Sequence, residues 1–222
     1  MAPGLLRLIF YYALKYGVPG GRMQLNTFGR RIRGRLMSDV LQLFMDRMDS
    51  PIGELLIVAD EAGKMRVLDW GNYEERMQGL LERYYGKGRF RLEATRNPAG
   101  LRDLMARYFA GEVDAIDEIR VETAGTEFQR NVWSELRNIP CGTTISYGTL
   151  AERISRPKAM RAVGLANGSN PIGIVVPCHR VIGANGTLTG YGGGLERKRW
   201  LLDHERKYTG KDRNATYPLF EA

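Results

Sequence analysis

The run SYGTLAERISRPKAMRAVGLANG, residues 146–168, breaks into two short helical segments around Ser155-Arg156-Pro157. Pro157 suits a first helical position, where its missing N–H is no loss, and Gly168 stands at the stop. Two short helices joined by a three- or four-residue turn describe a helix-turn-helix. Helix pairs also fill ordinary cores, so the pattern alone leaves DNA binding and plain packing open. The second helix is unusual. Ala162, Gly164 and Ala166 are small residues at alternate positions, and Arg161 is the one long cation among them. A helix that reads base edges in the major groove carries several long polar side chains. This one is suited to close backbone approach, either to a narrow minor groove or to a neighbouring helix.

Upstream, TEFQRNVWSELRNI (126–139) places Thr126 and Gln129 as a capping box, and Phe128, Val132, Trp133, Leu136 and Ile139 fall on one apolar face. Further upstream the period changes. QLFMDRM (42–48), SPIGELLIVAD (50–60) and KMRVLDW (64–70) alternate apolar and polar residues, with turn signals at Ser50-Pro51 and Ala62-Gly63, which predicts a small antiparallel sheet over about 42–70. YEERMQGLLERYY (73–85) and PAGLRDLMARYFAG (98–111) repeat every three or four positions and stop at Gly86 and Gly111. The expected fold is α/β of the α+β kind. An α/β scaffold over 37–120 precedes a mostly helical helix-turn-helix domain over 121–207, and a tail follows at 208–222.

The chain has 222 residues and a formal net charge of +8, with a pI near 9.6. That balance favours a polyanionic partner, nucleic acid first and an anionic membrane surface second. Two distant cysteines form no disulfide framework and no CxxC pair, which points to a reducing cytoplasm with both cysteines reduced. No stretch approaches the roughly 18–20 apolar residues of a membrane span. LLRLIFYYALKYG (5–17) is apolar, but Arg7 interrupts it and GVPGGR follows in place of a small-residue cleavage site. Residues 1–36 read as a basic extension outside the fold. Met37 is a natural internal start, and a membrane-surface helix is the runner-up.

IVVPCHRVIG (174–183) holds one of the two cysteines and one of the two histidines side by side, in an otherwise apolar run. On an extended backbone neighbouring side chains point to opposite faces, so His179 needs a turn or an intervening water to take a proton from Cys178. A thiol is mostly protonated at neutral pH, and burial holds it there. A carboxylate on the other ring nitrogen is the usual device for keeping such a histidine neutral and oriented. The plain alternative is a small hydrophobe beside a satisfied core histidine. Cys141, Cys178, His179 and His204 have no metal-ligand spacing, so no metal is expected. Cys141 reads as structural.

PCHRV, with RAVGLANGSNP before it and GYGGGLERKRWLLDHE after it, resembles the O6-alkylguanine-DNA alkyltransferases, most closely their short bacterial form, over about residues 42–205. The resemblance implies a ribonuclease H-like first domain, a winged-helix second domain, and single-turnover repair of DNA. O6-alkylguanine, and O4-alkylthymine with it, would be flipped from the duplex, and the alkyl group would pass irreversibly to Cys178. His179 would take the thiol proton through a water and Glu205 would orient His179. Asn170 would brace the turn, and Tyr147 would press on the backbone and assist the leaving base. Arg161 would fill the emptied stack, with Ala162 and Gly164 against the DNA. Tyr191, Gly192 and Val181 would line the base pocket, with Lys198 near it. No cofactor is implied. The partner it implies is double-stranded DNA containing O6-alkylguanine, with a monomer expected and no membrane. Position 192 is glycine where mammalian relatives carry serine, which predicts tolerance of alkyl groups larger than methyl. A binding-only relative would lack Cys178. A helix-turn-helix regulator would leave Cys178, His179 and Glu205 unexplained, and a cysteine hydrolase would need an oxyanion device.

Overall fold

The alternation over 42–70 becomes three strands, β1 (Leu41–Met48), β2 (Leu55–Asp60) and β3 (Met65–Trp70), in a computed structural model that describes residues 40–210. The expectations for residues 1–36, for Met37 and for the tail beyond 210 lie outside the described residues. β1, β2 and β3 pair antiparallel in succession. The sheet is nonetheless mixed: β4 (Phe90–Ala94) pairs in parallel with the other edge of β1, giving the order β3-β2-β1-β4. A parallel neighbour requires a crossover, and α1 (Glu74–Tyr85) lies within it. FRLEA exposes Arg91 and Glu93 along an edge strand, so it lacks the apolar run that marked the other three.

β2 is buried along its whole length, and its side chains divide with the period of two that a strand imposes. Leu56 and Val58 join Leu43, Val67, Met77 and Leu81 under α1. Leu55, Ile57 and Ala59 face a larger core that takes in Leu101 and Met105 of α2 (Leu101–Ala110). That core continues without a break into Val132, Trp133, Ile172 and Leu201. The two halves of the chain therefore share one apolar interior. At Gly111 (φ +112) a side chain would collide with the Tyr208 ring, 2.4 Å from a Cβ, which fixes glycine at the end of α2.

In the second half, α3 (Glu127–Leu136) opens on the capping box. Gln129 N donates to Thr126 Oγ1 at 3.2 Å, and Thr126 N donates to Gln129 Oε1 at 3.0 Å. α4 (Tyr147–Arg153) and α5 (Met160–Gly168) are the two helices of the opening stretch, and a short 3-10 turn over Pro157–Ala159 leads into the second. The small residues of α5 divide between two faces. Ala166 is buried, and its carbonyl accepts the Trp133 indole N–H at 2.8 Å. Ala162, by contrast, faces outward with Arg161 and Leu165. α6 (Leu195–Thr209) closes the described chain and runs two residues past the boundary expected at 207.

Two seams position the site. Leu68 on the edge of β3 accepts from Gly173 N at 2.9 Å and donates to Pro171 O at 3.0 Å, docking the segment before Cys178 onto the sheet. Two-residue strands β5 (Ile145–Ser146) and β6 (Val181–Ile182) pair in parallel, tying the segment after Cys178 to the start of α4.

Candidate active site

Between those seams the backbone turns. Cys178–Arg180 form a 3-10 turn, so the extended geometry that would have set Cys178 and His179 on opposite faces does not hold. Upstream, Ile174 sits at φ +65, fully buried. A β-branched residue in the left-handed region is strained by about 1–3 kcal/mol and persists only where the surroundings enforce it. Here Asn170 does much of the enforcing. Its Nδ2 donates to Val176 O at 2.7 Å and to Ile172 O at 3.3 Å, while its Oδ1 accepts Ile172 N at 3.0 Å. The same Nδ2 lies 3.2 Å from Cys178 Sγ.

The sulfur lines a cavity of about 390 Å³ whose walls include Trp70, Arg76, Asn167, Tyr191 and Gly192. Burial pushes the Cys178 thiol up, opposed by the Asn170 hydrogen bond and by the Lys198 and Arg76 charges. His179 is fully buried. Its Nε2 lies 2.8 Å from Glu205 Oε1, and its Nδ1 has no protein partner among the described residues. Burial lowers the His179 pKa despite the nearby Glu205 charge. Beside an ionised Glu205 the neutral ring carries its proton on Nε2 and leaves the Nδ1 lone pair to accept one.

Glu205 is the hub. Its Oε1 also accepts from Tyr108 OH at 3.1 Å and from Arg180 Nη2 at 2.9 Å, and its Oε2 accepts from Arg180 Nε at 2.9 Å and from Gly142 N at 3.1 Å. Burial alone would raise its pKa. His179 and Arg180 overcome that and hold the carboxyl far below the ordinary range. A buried charge is tolerable only with this degree of compensation. Arg180 also reaches the Ile139 carbonyl and, at 2.8 Å, Cys141 Sγ. Burial and the Glu205 charge push Cys141 up to about 12, and Cys141 is not among the residues that line the cavity.

The remaining sequence-expected residues divide. Lys198 is fully buried, donates to Val181 O and Thr189 O at 2.7 Å each, and has its pKa lowered by burial to about 8. It braces the loop between β6 and α6. Tyr191 lines the cavity with a buried hydroxyl that has no partner among the described residues, and Gly192 lies beside it. Val181 is buried behind the turn. Tyr147, at the start of α4, accepts a 3.4 Å bond from Thr189 Oγ1 and packs near Gly164. Arg161 and Ala162 lie on the exposed face of α5, outside the cavity lining.

Sequence reasoning missed Arg180, Tyr108, Asn167 and Arg76. Arg180 stood inside PCHRV and could have been asked which anion a cation in an apolar run must meet. Asn167 is buried and lines the cavity, with Oδ1 unpartnered among the described residues and Nδ2 3.4 Å from Cys178 O. It shares the inward face of α5 with Val163 and Ala166, where a polar residue calls for a reason. Among the described residues no group of three or more His, Cys, Asp or Glu side chains could hold a metal, and no helix is long and apolar enough to cross a membrane.

Both halves of the described chain resemble known proteins. Residues 43–123 match the ribonuclease-like domain of 6-O-methylguanine DNA methyltransferase, and residues 127–207 match its DNA binding domain. The methylated-DNA–protein-cysteine methyltransferase of Shigella flexneri is 54% identical over 167 residues, spanning 75% of this chain and 97% of that one. Its counterpart in Methanosarcina acetivorans is 44% identical over 157 residues, 71% of this chain and 94% of the other. The crystal structure of Mycobacterium tuberculosis O6-methylguanine methyltransferase superposes with a TM-score of 0.63 at 40% identity, covering 77% of this chain and 96% of that one. The M. tuberculosis OGT solved in complex with DNA superposes with a TM-score of 0.60 at 40% identity, covering 75% and 94%. The chain belongs to the methylated-DNA–protein-cysteine methyltransferase family.

Proposed function

We propose that Cys178 is the alkyl acceptor in the repair of O6-alkylguanine in double-stranded DNA, and that each molecule acts once. The protein is a DNA repair methyltransferase that binds DNA and moves an alkyl group from it to one of its own cysteines. The observation that carries the assignment to Cys178 is the pairing of its cavity-lining sulfur with a neutral His179. One ring nitrogen of that histidine is fixed by Glu205, and the other is left to receive a proton.

The thiol gives its proton through a water to His179 Nδ1. The sulfur then attacks the alkyl carbon in line, forming S–C as the C–O bond to guanine O6 breaks. Guanine leaves with the electron pair of that bond and recovers one proton, assisted by the Tyr147 hydroxyl, so no charge accumulates over the whole reaction. Asn170 holds the turn and contacts the sulfur. Lys198 supports the loop and adds a positive field at the thiolate. Cleaving the resulting thioether would require a thiolate to leave an unactivated alkyl carbon, which is why the acceptor is consumed. A sulfur inside a protein cavity cannot reach a base in the stack, so the alkylated nucleotide is extruded, at a cost of a few kcal/mol. Arg161, exposed on α5, takes the vacated place. O4-alkylthymine, with its alkyl carbon in an equivalent position, is the second substrate. One chain supplies every group of this relay, which suits a monomer, and a thiol acceptor suits a reducing cytoplasm.

Incubation with a methylated duplex, followed by intact mass and peptide mapping, tests the assignment. The mass should rise by one methyl replacing one hydrogen, on the peptide that carries Cys178. Cys178→Ala should abolish labelling while DNA binding persists. Label on Cys141, or lesions removed from DNA without a change in protein mass, would overturn it.

A further inference from the structure

The loop Tyr191–Gly194 walls one side of the cavity at Cys178, and the first half of the chain grips it from outside. Arg76, in the first turn of α1, donates from Nη1 to the Gly192 carbonyl at 2.9 Å. Asp69, buried on β3, aims that guanidinium: Oδ2 accepts from Nε at 2.9 Å and Oδ1 accepts from Nη2. Below, the Tyr73 ring lies 4.4 Å from the guanidinium carbon. The neighbouring residue is held as well. A Cβ at Gly193 would come within 2.3 Å of the Trp70 indole nitrogen. Arg197 covers Trp70 at 4.4 Å and donates to Gly193 O at 3.0 Å.

Position 192 itself shows what this grip does. A Cβ there would stand 3.1 Å from Arg76 Nη1. A side chain at 192 would therefore need the guanidinium reaching across from α1 to give by a few tenths of an ångström. The Arg76 guanidinium thus stands at the edge of the space that glycine leaves at 192.

We propose that Arg76 is a specificity-determining latch: it pins the Tyr191–Gly193 loop against the cavity and so limits the size of alkyl group that reaches Cys178. This rests on alkyl transfer to Cys178 as proposed above. A bidentate hold on a buried carboxylate fixes the direction of a guanidinium better than any single contact could. Three consecutive glycines, Gly192 to Gly194, have little conformational preference of their own, so an outside contact decides where the loop lies. The charge of Arg76 also favours the Cys178 thiolate, but that acts on every substrate alike. A ratio of two substrates cancels it.

The measurement is the rate constant for labelling the full chain by duplexes carrying O6-methylguanine or O6-benzylguanine. In Arg76→Ala the benzyl-to-methyl ratio should rise about tenfold, the scale on which apolar pockets discriminate size. Arg76→Lys keeps a charge on Asp69 without the fork and should raise the ratio less. Asp69→Asn unpins the guanidinium without making space and should move it the same way; these two variants carry the test if Arg76→Ala does not fold. Arg107→Ala, on α2 and outside the cavity lining, should leave the ratio unchanged. A parallel fall in both rates, or an unchanged ratio in all three latch variants, overturns the latch. A wild-type chain that neither duplex labels on Cys178 overturns instead the reading on which it rests.

Discussion

Two helices of the second half reverse the usual sorting of residues, in opposite directions. α5 presents Leu165 to solvent at 78% exposure, and Met160, its first residue, at 52%. α6 buries Lys198, His204, Glu205 and Arg206. The two inversions differ in energy. A lone exposed leucine costs the fold almost nothing, and it leaves a smooth apolar face free for a ligand to cover. A buried carboxylate costs several kcal/mol unless each lone pair is met, so Glu205 exists only because Arg180, His179, Tyr108 and Gly142 converge on it. Function reached through α5 should therefore be separable from stability. Function reached through α6 should not.

The largest expected effect follows from the α6 side. Glu205→Gln keeps the shape but removes the charge, leaving Arg180 buried without a counter-ion. Breaking one partner out of a buried pair costs about 3–5 kcal/mol, and the shift should appear in urea unfolding followed by tryptophan fluorescence. Alkyl transfer should slow in the same variant, because nothing then fixes the His179 tautomer. A stability change under about 1 kcal/mol would mean that the cluster is not held by charge at all, and the contrast between the helices would fail.

On α5 the expected pattern is the reverse. Leu165→Glu sets a negative charge where the phosphate backbone should pass, and duplex affinity should fall about tenfold, near 1.4 kcal/mol, in a titration at fixed salt. Unfolding of the same variant should stay within about 0.5 kcal/mol of wild type, as expected of an exposed site. Its reaction with the free alkylated base should be unchanged. Equal losses with duplex and free base would place the defect inside the cavity rather than on the DNA face.

This contrast also explains what could be read before the structure. The helix pair, the capping box, the three alternating strands and PCHRV are all local patterns, in which period and turn chemistry suffice. β4 escaped because an edge strand with outward charges resembles a loop. Ile174 escaped because an apolar β-branched run reads as extended, whereas here it must bend through the left-handed region to deliver Cys178. Arg180, Tyr108 and Arg76 escaped for another reason. Each reaches the site through a partner 25, 97 or 116 residues away in the chain, and periodicity shows which face a residue is on, never what it meets there. Glu205 was placed by family resemblance rather than by pattern, and its five hydrogen bonds were legible only in three dimensions.

A pH series separates two descriptions of the α6 cluster: a neutral histidine bonded to a carboxylate, or an ion pair. With Arg180 and Lys198 also facing it, burial lowers the His179 pKa, so the folded protein resists taking a proton that the unfolded chain accepts near pH 6.5. Just below that pH the unfolded state binds more protons, and stability must fall on acidification by up to about 1.4 kcal/mol per pH unit for each such group. His204, also lowered by burial, contributes with the same sign. Glu205 adds a further loss, but only below about pH 4.5, where its unfolded form begins to protonate. Urea midpoints should therefore be level from pH 7.5 to 6.5 and decline from 6.5 to 5, before any carboxylate titrates. The transfer rate should hold through pH 6.5, because His179 stays neutral and able to accept the thiol proton, and fall only at lower pH. Stability that rises between pH 6.5 and 5 would mean that His179 is protonated in the fold and paired with Glu205 as a cation. In that state it could not take a proton from Cys178, and the sulfur would need another base.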